Sequence, residues 1–285
     1  MLRIFTDNAS NLPPELVDRY DIGIVTIDCF TDGETLDFSD GFDGHEYYDA
    51  MRGGRVVRTA MPSMGAFLDA FTPVLAAGDE LIYVGMSGGI SGTAALAQSV
   101  VTELREEFPE RKLAAIDTRG ASLGEGLPVL YAARLRDERI PFEEIVARTN
   151  ERCGNVWQVF TVDDLSYLRK TGRLFHAAVK VTNTLNVKPI LVGDEDGHIV
   201  LRGVTLGRRR SLDALTTRYR EHCSDKTAPV GIAHADSAAD AAYVAARLRE
   251  FGCVGDITTV MYEPVTGSHV GPGTVALFFL GEGRP

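Results

Sequence analysis

ELIYVGMSGGISGTAALAQSVV, residues Glu80 to Val101, reads as an apolar strand, a loop of serine and glycine, and a helix placed back to back. Leu81, Ile82, Val84 and Met86 feed a turn in which Ser87 and Ser91 carry hydroxyls. Gly85, Gly88, Gly89 and Gly92 leave the backbone of that turn bare for close approach. A helix expected from about Thr93 turns its free N–H groups and positive end toward the loop. Hydroxyls, bare amides and a helix start form a cradle for an oxyanion: a phosphate, a carboxylate or a reacting acyl oxygen.

Working outward, short apolar runs recur along the chain: Leu2–Thr6, Ile22–Phe30, Leu81–Met86, Lys112–Asp117, Val156–Val162, Val187–Val192, Ile199–Arg202, Val230–Ala233, Ile257–Tyr262 and Val275–Leu280. Amphipathic stretches separate many of them, and two carry capping-box spacing, Ser122-x-x-Glu125 and Ser237-x-x-Asp240. Strand and helix in alternation predict an α/β fold with a largely parallel sheet. Asp196-Gly197 between two apolar runs predicts a hairpin, and hence a mixed sheet in the second half. The helical run PFEEIVARTNERCG ends at Gly154 and the strand-like VWQVFTV follows. We therefore expect an N-terminal three-layer α/β/α domain over residues 1–158 and a C-terminal α/β domain over 159–285.

The sequence of 285 residues, 45% of them hydrophobic, is long enough to bury a large core. Its net charge of −11 argues against a nucleic-acid partner, which calls for a basic surface. Cys29, Cys153, Cys223 and Cys253 are isolated, which predicts neither a disulfide framework nor a zinc site and fits a cytoplasmic protein. No apolar run reaches spanning length and Met1 leads straight into a strand, so neither stable membrane insertion nor export is expected.

Gly85-Met86-Ser87-Gly88-Gly89 matches G-x-S-x-G between a strand and a helix, the setting of a nucleophile elbow. The alternative function is thus a serine esterase using Ser87, His269 and an acid such as Asp194 or Asp236. Only two clear strands precede Ser87, however, and no HGGG-type segment lies upstream. The loop lacks the lysine of a phosphate-binding P-loop, and Asp7 lacks a second carboxylate two residues on, so Asp7 is read as a turn or helix cap. In Arg58–Ser63, Ser63 is placed to cap the next helix and Thr59 is free to meet a ligand. Arg173 follows the helix break at Gly172, where its planar fork could hold a carboxylate or phosphate. Arg208, Arg209 and Arg210 open a helix whose dipole disfavours them, and form a possible acidic-partner surface. His269 sits in GSHVGPG, read as a constrained functional loop. His45, His176, His198, His222 and His234 lack metal-ligand spacing.

Together these segments resemble the DegV family of bacterial fatty-acid-binding proteins. TDNASNLP (6–13) is similar to the family's T-D-S-S/T-x-D-L-P opening, and TAMPS (59–63) to T-S-Q-P-S. MSGGISGTAALA (86–97) is similar to S-S-x-L-S-G-T-x-x-S-A, and IDTRGASLGEG (116–126) to D-T/S-x-x-A/S-S-x-G-x-G. DLSYLRKTGRL, VKPILVGDEDGHI and GSHVGPGTVALFF continue the resemblance in order. It implies two α/β domains with a lipid pocket between them. By that resemblance the carboxylate of a long-chain fatty acid would be held by Thr59, Ser87 or its neighbour Gly88, Arg173 and His269. The same resemblance implies a non-catalytic role without cofactor or metal. The bound acid would be presented to the catalytic subunit of an ATP-dependent fatty acid kinase, giving acyl phosphate for phospholipid synthesis; a lipid-binding regulator is the further reading. Two departures stand out: Ser87-Gly88 where the family has paired serines, and TAMP in place of T-S-Q-P.

Overall fold

The computed structural model describes residues 1–38, 41–175 and 186–285, so His176 lies outside the described residues. The chain begins β1 (Leu2–Asp7), a 3-10 turn at Asn8–Ser10, α1 (Pro14–Arg19), β2 (Ile22–Val25), β3 (Asp28–Thr31) and β4 (Glu34–Thr35). There follow α2 (Gly44–Arg52), β5 (Arg58–Ala60), α3 (Met64–Ala76), β6 (Glu80–Gly85), α4 (Thr93–Glu107), β7 (Leu113–Asp117), α5 (Leu123–Asp137) and α6 (Phe142–Cys153). The second half runs β8 (Val156–Thr161), α7 (Ser166–Lys170), β9 (Val187–Gly193), β10 (Ile199–Leu206), α8 (Arg208–His222) and β11 (Val230–His234). It closes with α9 (Ala238–Glu250), β12 (Ile257–Met261), α10 (Pro264–Val270) and β13 (Val275–Leu280).

Strands β2-β1-β6-β7 form a wholly parallel sheet. Because successive side chains point to opposite faces, Ile4, Ile82 and Val84 pack on α5 and α6, while Phe5, Leu81 and Tyr83 pack on α3 and α4. That is the expected three-layer half. The second sheet, β10-β9-β8-β13-β11-β12, is antiparallel except for β11 against β12. The hairpin at Asp196-Gly197 joins β9 to β10 as expected, with Gly197 at φ +80. All of β8 belongs to this second sheet, so a division after residue 158 falls inside a strand; the change of sheet comes before Val156.

One face of the second sheet, with Val159, Leu277 and Phe279, packs on α8 and α9. The other carries Phe160, Leu191, Ala276 and Phe278. Helix α5 contacts both β1 and β6 of the first sheet and β8, β11 and β13 of the second. It is buried nearly all round, including Leu123, Leu127, Val129, Leu130 and Leu135.

Three local expectations are revised. The run Ile22–Phe30 divides into β2 and β3, and β3 joins a separate antiparallel sheet, β4-β3-β5, that sets Thr59 opposite Cys29. Neither capping box forms. The Ser122 hydroxyl accepts from Asn11 Nδ2 (3.0 Å), Glu125 Oε1 accepts from the Thr6 hydroxyl (2.8 Å), and Asp240 pairs with Arg208. Finally, GSHVGPG is not a free loop. Residues through Val270 form helix α10, capped by Glu263, and packing requires its glycine: a Cβ at Gly267 would lie 2.1 Å from the Tyr48 hydroxyl. Asp7 and Ser63 do act as caps, accepting from Ala9 N (3.0 Å) and Ala66 N (3.1 Å).

Candidate ligand-binding site

The second sheet, α7, α10, β5 and the loop after β6 enclose a cavity of about 280 Å³. Its apolar wall includes Met86, Ile90, Phe160, Ile199, Val265 and Phe278. Thr59, Arg173 and His269 meet this space on the α7 and α10 side, and Arg119, Ser122 and Gln158 line it from other elements.

Thr59 Oγ1 lies 2.8 Å from His269 Nε2. His269 Nδ1 is buried without a partner among the described residues. Burial, reinforced by the Arg173 cation, lowers the imidazole to about 4, so it is neutral at physiological pH. One ring nitrogen therefore carries the proton. If it is Nδ1, that donor is uncommitted; if it is Nε2, it donates to Thr59 and frees the threonine hydroxyl proton. Either tautomer leaves a donor for a ligand oxygen. Burial also lowers the guanidinium of Arg173, which donates to the Thr171 carbonyl, so an anion arriving here would relieve an unfavourable charge.

Helix geometry explains the convergence. Gly172 at φ +70 ends α7 and turns the chain to Arg173. Glu263 caps α10, its carboxylate accepting from Thr266 N (2.8 Å), which orients the helix that carries His269 one residue before its end. Burial pushes that carboxyl up to about 7.

Ser87 is placed differently. Its hydroxyl touches the cavity but is wholly buried, donating to Gly197 O (2.8 Å) and accepting from Gly89 N (3.0 Å). It fastens the loop to the β9–β10 hairpin. Gly88 does not line the cavity: its N–H donates to Asp117 Oδ2 (3.0 Å), and a Cβ there would stand 2.7 Å from the same oxygen. Ser91, a hydroxyl of the loop cradle but not one of the head-group residues implied by the resemblance, does line the cavity, its hydroxyl 2.8 Å from Thr93 Oγ1 at the start of α4. The S-G-T step before a helix was the available signal for it. Gln158 and Thr266 also line the cavity and had no sequence signal beyond their polarity.

The esterase reading fails on geometry. Among the described residues Ser87 Oγ has no histidine partner, and no acid orients His269 Nδ1. Asp194 accepts from His198 N (2.8 Å) to shape the hairpin, and Asp236 binds Arg52 (2.6 Å) and His45 (2.5 Å).

The three arginines also separate. Arg208 is committed internally, to Asp240 Oδ2 (2.8 Å) and the Gly273 carbonyl (2.6 Å). Arg209 covers the Tyr243 ring at 3.4 Å, and Arg210 is exposed. Among the described residues no group of His, Cys, Asp and Glu could hold a metal ion, and no helix is long and apolar enough to cross a membrane.

A family model described as "Uncharacterised protein, DegV family" matches residues 1–282. The chain belongs to the DegV family. A DegV domain-containing protein of Clostridium perfringens is 31% identical over 284 residues, covering 98% of this chain and 97% of its own. Among solved DegV structures, a family member from Thermus thermophilus described for its fatty acid binding superposes with a TM-score of 0.88 at 25% identity, covering 99% of each chain. DegV of Bacillus subtilis, described as a fatty acid binding protein, superposes at 0.84 with 22% identity, again over 99% of each chain, and supports the DegV fold alone.

Proposed function

We propose that this protein binds a long-chain fatty acid in the cavity, with the carboxylate on Thr59, Arg173 and His269 and the tail along Phe160 and Phe278. The observation that carries this reading is the pairing of an apolar cavity with a neutral, under-bonded His269 beside the half-buried Arg173 cation. The Thermus thermophilus relative supports it by its own fatty acid binding. A tail of about 15 methylene and methyl groups, at about 0.8 kcal/mol each, contributes on the order of 12 kcal/mol before ordering costs. The polar end therefore fixes orientation more than affinity. Ser91 replaces Ser87 and Gly88 as the loop's contribution to the head group.

The further step is presentation of the carboxylate to an ATP-dependent fatty acid kinase, which yields acyl phosphate for phospholipid synthesis. The chain itself carries no chemistry in this scheme. It holds the carboxylate at a polar end, where Met61 is 53% exposed and marks an opening toward solvent. Arg209 and Arg210 offer cationic surface to such a partner. Native mass spectrometry of purified protein tests the first step: a co-purified or added long-chain acid should be retained one per chain, and absence of both refutes the reading. Formation of acyl phosphate on addition of a fatty acid kinase and ATP tests the second.

A further inference from the structure

The cavity has a second end with a different construction. Val275, which follows α10 and its turn, pairs with Thr161 at the end of β8, so His269 belongs to the Thr161 end of that strand. Gln158 lies three residues back, about 10 Å along the sheet, facing the same side as Phe160 and opposite Phe278. It lines the cavity and is 8% exposed.

Its amide is held on every side. Oε1 accepts from Ala121 N (3.2 Å) and Nε2 donates to Arg119 O (2.9 Å). Gly124 and Gly193 flank it so closely that a Cβ would sit 2.5 Å from Oε1 at the first and 2.9 Å from Nε2 at the second. A methionine or leucine in this position could swing away from a long ligand. This amide cannot do so without giving up both of its hydrogen bonds and pressing on the Gly124 and Gly193 backbones.

We infer that Gln158 is the end stop of the cavity and sets the longest acyl chain that the site accepts. The inference deepens the fatty-acid reading and rests on it. Methylenes added short of the stop increase affinity, whereas one pressed against the amide meets a rigid polar group that offers no apolar contact. The ligand class is therefore straight-chain acids with a sharp upper length.

Native mass spectrometry with a homologous series of straight-chain saturated acids decides the matter. For the wild type, binding should tighten about fourfold per methylene up to one length and then weaken. Gln158→Ala should move that maximum upward by about two carbons, into the space vacated by the amide. Gln158→Asn, which keeps an amide, should move it by about one carbon and serves if the alanine variant does not fold. Gln158→Leu keeps the reach but loses the two anchoring hydrogen bonds, and should move the maximum by no more than about one carbon. Identical maxima for wild type and the folded shorter variants would overturn the inference, as would a leucine shift equal to that of alanine. Failure of the wild type to bind any acid would refute the fatty-acid reading itself, and the inference with it.

Discussion

Thr59 and His269 are 210 positions apart in the chain, yet their side chains meet at 2.8 Å across the junction of the small β4-β3-β5 sheet and α10. The threonine fixes which ring nitrogen is engaged. Thr59→Val should leave the fold intact while releasing the ring, and should speed dissociation of a bound acid by about tenfold, the worth of one hydrogen bond to a charged group. The off-rate into an excess of serum albumin measures this. An unchanged rate contradicts the role.

Arg173→Lys retains the charge but loses the planar fork. If the guanidinium engages a carboxylate through two parallel bonds, the lysine variant should retain acid about tenfold less well. If it acts only as a point charge, lysine should match the wild type and only Arg173→Ala should fail. The same dissociation assay separates these outcomes.

His269 and Glu263 titrate in opposite senses. Burial holds His269 at about 4, below its ordinary 6.5, so its contribution to stability is present above 6.5 and lost as pH falls toward 4. Burial raises Glu263 to about 7 from 4.5, so its contribution is present below 4.5 and lost as pH rises through 7. Relative to wild type, His269→Gln should become more stable toward acid pH and Glu263→Gln toward neutral pH, each by at most about 3 kcal/mol. Thermal unfolding from pH 4 to 8 reads both; parallel curves for all three proteins would contradict the assignments.

Asp7 and Glu125 are both wholly buried, and Glu125 Oε2 has no partner among the described residues. Burial and the Asp7 charge push Glu125 well above its ordinary range, and burial raises Asp7 despite its bond from the Tyr83 hydroxyl (2.6 Å). A folded-state value above the unfolded one means stability that is present at low pH and lost as pH rises. Glu125→Gln should therefore gain on wild type by about 1 kcal/mol or more between pH 5 and pH 8 in the same unfolding series.

Replacing Arg209 and Arg210 with Glu should leave acid retention unchanged while lowering acyl phosphate formation by a fatty acid kinase, because neither residue touches the cavity. Arg208→Ala should instead lower the melting temperature, since it unties α8 from α9 and from the Gly273 turn. Equal loss of retention in the double variant would refute the surface role.

The alternation of apolar runs with helical stretches was sufficient for both sheets, because strands buried on two faces must be apolar throughout. Asp196-Gly197 likewise marked its hairpin through backbone chemistry alone. What local pattern could not convey was partnership at long range. Ser122 matches a capping box, but Asn11, 111 residues away, takes its hydroxyl. Gly267 and Gly271 look like loop residues until Tyr48 and Tyr167 are seen packed against them. Ser87 and Ser91 stand four residues apart in one loop and both line the cavity; only the position of Gly197, whose carbonyl takes the Ser87 hydroxyl, shows that the first serine also fastens the loop to the hairpin.

Helix α5, wedged between the two sheets and apolar on both sides, has a consequence for how the gene product can be divided. An N-terminal half expressed alone would carry a bare greasy flank where β8, β11 and β13 now lie, and a C-terminal half would lack the lid for its own sheet. Each fragment would expose apolar surface that the intact chain covers, which favours folding of the two halves together.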